Sequence, residues 1–233
     1  MPIEIDASLA PELVPLSWLV GSWEGVGVVG YPGTAERQFG QRIDFGAPEG
    51  ASYLHYTSQT WLLDLEGNPE AMLTMETGFW QLVRPRTDED PGPGMIAARE
   101  PSSFTTAESV ESLRNADGVF DLEVAIVHPG GVMEMYAGTS EGAQINLATD
   151  VVARTTTAKE YSASKRLYGY VKGELMWAWD MAAAGEGLTS HASARLKKVG
   201  SVTSSAESSA SDPSASDPRA TELRPTELSA EEN

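Results

Sequence analysis

Three imidazoles, those of His55, His128 and His191, are the side chains of this 233-residue chain best suited to hold a transition metal. Cysteine is absent, which excludes disulfides, thiolate ligands, iron–sulfur clusters and a cysteine nucleophile. Metal chemistry would therefore rest on histidine and carboxylate. Among 34 acidic residues, an accidental carboxylate pair carries no information. No Ser/His/Asp arrangement, HExxH string or P-loop stands out, so hydrolysis and phosphoryl transfer have no support. Gly25-Val-Gly27-Val-Val-Gly30 has the spacing of a dinucleotide-binding turn. It fails on context, because Tyr31-Pro-Gly33 follows where a helix must open, and no βαβ unit surrounds it. Read with period two, Trp23, Gly25, Gly27, Val29 and Tyr31 share one face of a strand and leave bare backbone beside an aromatic ring. Either the glycines relieve crowding in a bent barrel strand, or a flat ligand lies against them.

The elements that must position these residues are mostly short β patterns. Val119–Val127 meets Val132–Ala137 across His128-Pro-Gly-Gly131, which reads as a hairpin. Ile145–Leu147 follows, then Arg166–Val171, a turn at Lys172-Gly173, and Glu174–Met181. Leu188–Val199 comes last. Strands of similar spacing in one meander predict an all-β fold, an antiparallel up-and-down barrel like that of fatty-acid-binding proteins, because closure removes exposed edges. One short helix is expected over Pro15–Val20, stopped by Gly21. Arg84–Gly94, with three prolines and a run of charge, reads as a loop that opens a longer excursion to about Asp117. This excursion is placed to reshape one end of the barrel.

The barrel domain is expected to span residues 9–199. Residues 200–233, rich in Ser, Ala and Pro and without an aromatic residue, read as a disordered acidic tail. The net charge of −18 and the lack of a basic cluster argue against nucleic acid or an anionic membrane as partner. The N-terminus lacks a signal-peptide pattern and no apolar run is long enough to span a bilayer, so a cytoplasmic location is expected.

Leu16-Ser-Trp-Leu-Val-Gly-Ser-Trp-Glu-Gly-Val-Gly27, Tyr31-Pro32, Glu76-Thr-Gly-Phe-Trp80, Ala158-Lys159 and Leu188-x-x-His191-x-Ser-Ala-x-Leu196 occur in this order. Together they resemble the nitrobindins, small β-barrel ferric-haem proteins, over roughly Leu9 to Val199. The resemblance implies one haem b per subunit, with His191 as the iron's axial ligand and as the catalytic residue. It also implies Lys159 near a propionate and Thr34 at the haem edge. Gly33 intervenes between Tyr31-Pro32 and Thr34, a departure from the family pattern. On the second reading of the glycine strand, Trp23, Gly25 and Gly27 are contact points for that cofactor. The small neighbours Ser190, Ala192, Ser193 and Ala194 leave room for a porphyrin to approach His191. His55, in a strand mixing aromatic and polar residues, reads as a hydrogen-bonded structural histidine, with a pocket-facing position as the alternative. His128, at a hairpin turn, is expected to be solvated.

The implied activity is isomerisation of peroxynitrite to nitrate, the cofactor making and breaking the bonds. The implied partners are small molecules, peroxynitrite and nitric oxide, and a homodimer is compatible with the sequence. Two other functions share the barrel: a non-enzymatic carrier of a small hydrophobic ligand, and a haem-based nitric oxide sensor or store.

Overall fold

Alternation with period two carries the chain through ten strands in the computed structural model, which describes residues 8–200. The tail expected over residues 200–233 lies, but for Gly200, outside the described residues. The strands are β1 (Gly21–Val29), β2 (Arg37–Gly46), β3 (Tyr53–Leu63), β4 (Pro69–Leu82) and β5 (Phe120–His128). After them come β6 (Val132–Glu141), β7 (Gln144–Arg154), β8 (Tyr161–Val171), β9 (Glu174–Ala183) and β10 (Thr189–Gly200). Each pairs antiparallel with its sequence neighbour and β1 pairs with β10, so the up-and-down meander closes into a barrel, as the sequence predicts. Along β5, Phe120, Leu122, Val124 and Ile126 are buried while Glu123 and Val127 face out. At the β8–β9 turn, Lys172 and Gly173 both have positive φ, 53° and 90°. That backbone matches the right-handed twist of the flanking strands.

One end of the barrel is plugged. Leu13, Leu16, Trp18 and Leu19 of the N-terminal segment are buried in a cluster with Trp23, Phe45, Leu54, Trp80 and Leu82. The helix expected over Pro15–Val20 is instead a 3-10 turn over Pro11–Leu16, continued by bonds from Leu19 N to Leu16 O and from Val20 N to Ser17 O. Pro15 lacks the N–H that an α-helix would need there, so the segment folds as successive tight turns.

The excursion between β4 and β5 covers the same end. Its helical turn α1 (Ala107–Val110), opened by a capping box between Thr106 and Ser109 and followed by a 3-10 turn over Glu111–Leu113, packs on the N-terminal 3-10 turn and buries Val110. Arg84 ties these pieces together. Its guanidinium donates to Asp90 at 2.6 and 2.8 Å, lies 3.6 Å from Glu12 and sits over the Phe104 ring. All three charged side chains are buried.

The opposite end is open and less regular. β7 pairs with β8 only over Gln144–Ala148, and β4 pairs with β5 only over Thr77–Leu82. Beyond Ala148 the strands part, bridged by Thr149 Oγ1, which accepts from Ser164 N and donates to its carbonyl. β10 carries a bulge between Ser190 and Ala192, at His191.

Arg84 is the bolt of the plugged end, and Asp90→Asn leaves its buried charge poorly compensated. Denaturant unfolding should show a loss of roughly 3 kcal/mol. Arg84's hydrogen bonds hold the Asp90 carboxyl below the usual range. The pair's contribution is therefore complete above the unfolded carboxylate pKa and is lost as pH falls through the lower native value. The variant should lack that component of the acid limb.

Candidate functional site

His191 is held from three sides at the open end. Its Nδ1 lies 3.0 Å from the Gly30 carbonyl oxygen, and Gly30 N–H donates to the His191 carbonyl at 2.9 Å. A carbonyl only accepts, so the ring proton is on Nδ1 and the lone pair on Nε2, which makes no hydrogen bond among the described residues. Trp179 meets the imidazole edge-to-face at 5.0 Å and Tyr31 does so at 5.7 Å. Tyr31 is itself anchored to the end of β9, its hydroxyl accepting from Ala183 N at 2.9 Å and lying close to the Ala183 and Met181 carbonyls. Burial lowers the His191 pKa, outweighing the opposing effect of the Gly30 bond, and so favours the neutral ring.

The imidazole borders an open cavity of about 210 Å³ in the barrel mouth, below the ~300–1,000 Å³ typical of enclosed small-molecule sites. Val29, Phe39, Leu73, Trp177 and Trp179 form its apolar wall. Its floor is charged. Arg166 donates through both terminal nitrogens to Glu76 at 2.9 Å each, through Nε to Tyr136 Oη at 2.9 Å, and lies 3.4 Å from Glu134. Glu76 also accepts from Tyr56 Oη at 2.8 Å. Glu134 accepts from Tyr136, Ser164 and Tyr161 hydroxyls and from His128 Nε2 at 2.6 Å. Burial would raise both carboxyl pKa values. For Glu76 the Arg166 charge reverses this, and for Glu134 the His128 and tyrosine hydrogen bonds and Arg166 hold the value at about 2.

His128 corrects the sequence reading. It is not solvated at its turn but 14% exposed, fixed by Glu134 and stacked on Trp179 at 6.1 Å. The alternation of β5 continues into it, putting the ring on the same face as Leu122, Val124 and Ile126. His55 points outward, with Nε2 3.2 Å from Thr77 Oγ1. Thr34 stands on the rim next to His191, its hydroxyl donating to the Tyr31 carbonyl and accepting from Tyr31 N. Lys159 is exposed in the β7–β8 turn and does not border the cavity. Trp23 is buried at the plugged end, giving Nε1–H to the Leu19 carbonyl at 2.7 Å. Gly25 and Gly27 lie where β10 comes close. A Cβ on Gly25 would meet the Arg195 carbonyl, and one on Gly27 the Ser193 carbonyl and the Phe39 ring. Crowding accounts for their bareness, and neither borders the His191 cavity.

These residues fit an iron porphyrin. A neutral imidazole offers Nε2, which is the usual protein donor to haem iron, and the apolar wall of Val29, Phe39, Leu73 and Trp177 adjoins it. The indole Nε1 of Trp179 is buried without a hydrogen-bond partner in the residue that packs on His191. Such an orphan is costly, and an acceptor on a bound group would satisfy it.

Residues 12–198 match the family model described as THAP4-like, heme-binding beta-barrel domain. A protein of Kocuria rhizophila named peroxynitrite isomerase is 52% identical over 199 residues, covering 85% of this chain and 96% of its own. One of the same name from Leifsonia xyli is 53% identical, covering 84% and 98% respectively. The crystal structure of Rv2717c from M. tuberculosis superposes with a TM-score of 0.58 at 28% identity, covering 82% of this chain and 99% of that one.

The buried Glu134 charge should be visible in acid unfolding. With a native pKa of about 2 against an ordinary 4.5, its ionised form contributes roughly 3 kcal/mol at neutral pH. That contribution is complete above the ordinary value and disappears as pH falls toward the native one. Glu134→Gln should remove this component, so stability measured by urea unfolding should fall less steeply between about pH 4.5 and about pH 2.

Proposed function

Because the chain belongs to the THAP4-like, heme-binding β-barrel family, that of the nitrobindins, we propose that His191 Nε2 ligates a ferric haem b and that the loaded protein isomerises peroxynitrite to nitrate. The observation that carries this reading is the bond from His191 Nδ1 to the Gly30 carbonyl, which leaves Nε2 as a lone-pair donor beside the mouth cavity. The haem supplies the Lewis-acidic iron at which peroxynitrite rearranges.

The chain's own contribution is orientation and environment. Gly30 sets the tautomer of His191, while Tyr31 and Trp179 fix the plane of its ring. Phe39, Trp177 and Val29 keep water from one wall. Thr34, next to His191 on the rim, and Lys159, whose ammonium makes no ion pair among the described residues, are the polar groups proposed for the propionate edge. A small-molecule substrate, rather than nucleic acid, accords with the net charge of −18. No helix among the described residues is long and apolar enough to cross a membrane.

Reconstitution with hemin should give a Soret band that His191→Ala abolishes while far-ultraviolet circular dichroism stays unchanged. The loaded protein should speed peroxynitrite decay with nitrate as the main product, and the haem-free protein and His191→Ala should leave decay at the buffer rate. A normal Soret band in the alanine variant would refute the ligand. A lipid mass without iron, in native mass spectrometry of the protein as isolated, would favour a carrier instead.

A further inference from the structure

A ligand imidazole on the inner face of β10 points across the lumen, so whatever the iron takes up on its other side meets the opposite wall. In the ring of strands that wall is β5, diametrically opposed to β10, flanked by β4 and β6. His128 ends β5 and borders the same cavity as His191. The two imidazoles share one neighbour, Trp179, with His191 edge-on at 5.0 Å and His128 stacked at 6.1 Å.

What holds each ring is different. His191 faces a neutral carbonyl, whereas His128 Nε2 is 2.6 Å from the Glu134 carboxylate. Glu134 is fixed in turn by the hydroxyls of Tyr136 and Ser164. His128 Nδ1 is thus the nitrogen left over. The nearest carboxylate oxygen to it, Glu76 Oε1, is 3.6 Å away, beyond hydrogen-bond distance, and Glu76 already receives Arg166 and Tyr56. Apart from the Trp179 indole N–H, which has no partner among the described residues, several other donors on the cavity wall are engaged. Gln41 donates to Ser58, Trp177 to Gln41, Thr60 to the Thr74 carbonyl, and Arg166 to Glu76, Glu134 and Tyr136.

We propose that His128 is a substrate-contacting residue, its Nδ1 accepting the O–H of the conjugate acid of the small oxyanion held on the side of the haem turned away from His191. This rests on the haem reading above. The clamp on Nε2 commits the ring proton to Glu134 and leaves the Nδ1 lone pair, which neither carboxylate can engage, to accept from a ligand.

Two amide substitutions separate contact from scaffolding. In His128→Gln the amide can occupy the place of Nε2 and keep the bond to Glu134, but it vacates Nδ1. In His128→Asn the amide takes the place of Nδ1 and gives up Glu134. Both variants and the wild type are loaded with hemin, and fluoride is titrated into the ferric forms. The C–O stretch is recorded on the ferrous carbonyl forms.

The glutamine variant should keep its Soret band, bind fluoride, whose proton from HF Nδ1 takes up, at least about tenfold more weakly, and shift its C–O stretch to lower frequency. The asparagine variant should stay within about threefold of wild type. Fluoride affinity and C–O stretch equal to wild type in His128→Gln would overturn the proposal. So would loss of its Soret band, which would place His128 on the iron. A wild type without a Soret band on hemin addition would instead strike down the haem reading, and this contact with it.

Discussion

The chemistry of the barrel mouth depends on one hydrogen bond, from His191 Nδ1 to the carbonyl of Gly30. It decides which nitrogen carries the proton and therefore which carries the lone pair. The bond exists only because β1 ends where it does. Gly30 follows its last residue and is still tied to β10 through its own N–H, while the β10 bulge turns the His191 ring inward. A slip of one residue between these strands would send the imidazole to the outer face. The plugged end guards against that slip. Trp23 packs there against Tyr170 and bonds to Leu19, fixing the other end of β1 in the core.

Two carboxylates and a guanidinium buried in a barrel lumen are expensive unless every lone pair and N–H is engaged. Here most are, through the Arg166–Glu76 pair and the tyrosine and serine hydroxyls from β3, β6 and β8. The cluster gives the cavity two chemical halves. Val29, Phe39, Leu73 and Trp177 suit an apolar face of a ligand, and Glu76, Arg166 and His128 supply the charged groups of the floor. Trp179 lies between the halves, with the Arg166 guanidinium 4.0 Å from its ring, His191 at its edge and His128 stacked on it.

Much of this was legible in the sequence where the signal is local. Alternation with turn residues located β5, β6, β9 and β10 and parts of β7 and β8, and Lys172-Gly173 announced its own turn. Small residues flank His191 in the sequence, and two of them, Ala192 and Ala194, are buried. The floor was not legible. Glu76, Glu134 and Arg166 come from β4, β6 and β8, and nothing local links residues so far apart in the chain. His128 was misjudged because a Pro-Gly-Gly turn follows it. Extending the alternation one step past Ile126 and Val127 would have turned it inward, since parity persists to the last residue of a strand. The bare strand at Gly25 and Gly27 left two readings open, and the closeness of β10 and Phe39 favours the one based on packing.

The parting of β7 from β8 has a dynamic consequence. Residues from Thr149 to Arg154 are laddered to β6 alone, so half of the hydrogen bonds that would hold an interior strand are missing there. Local fluctuation should concentrate on this seam while the plugged half stays rigid. The rim then behaves less like a fixed hoop than like a cuff with an unbuttoned side, able to spread for a broad planar guest without disturbing the register on which the imidazole depends.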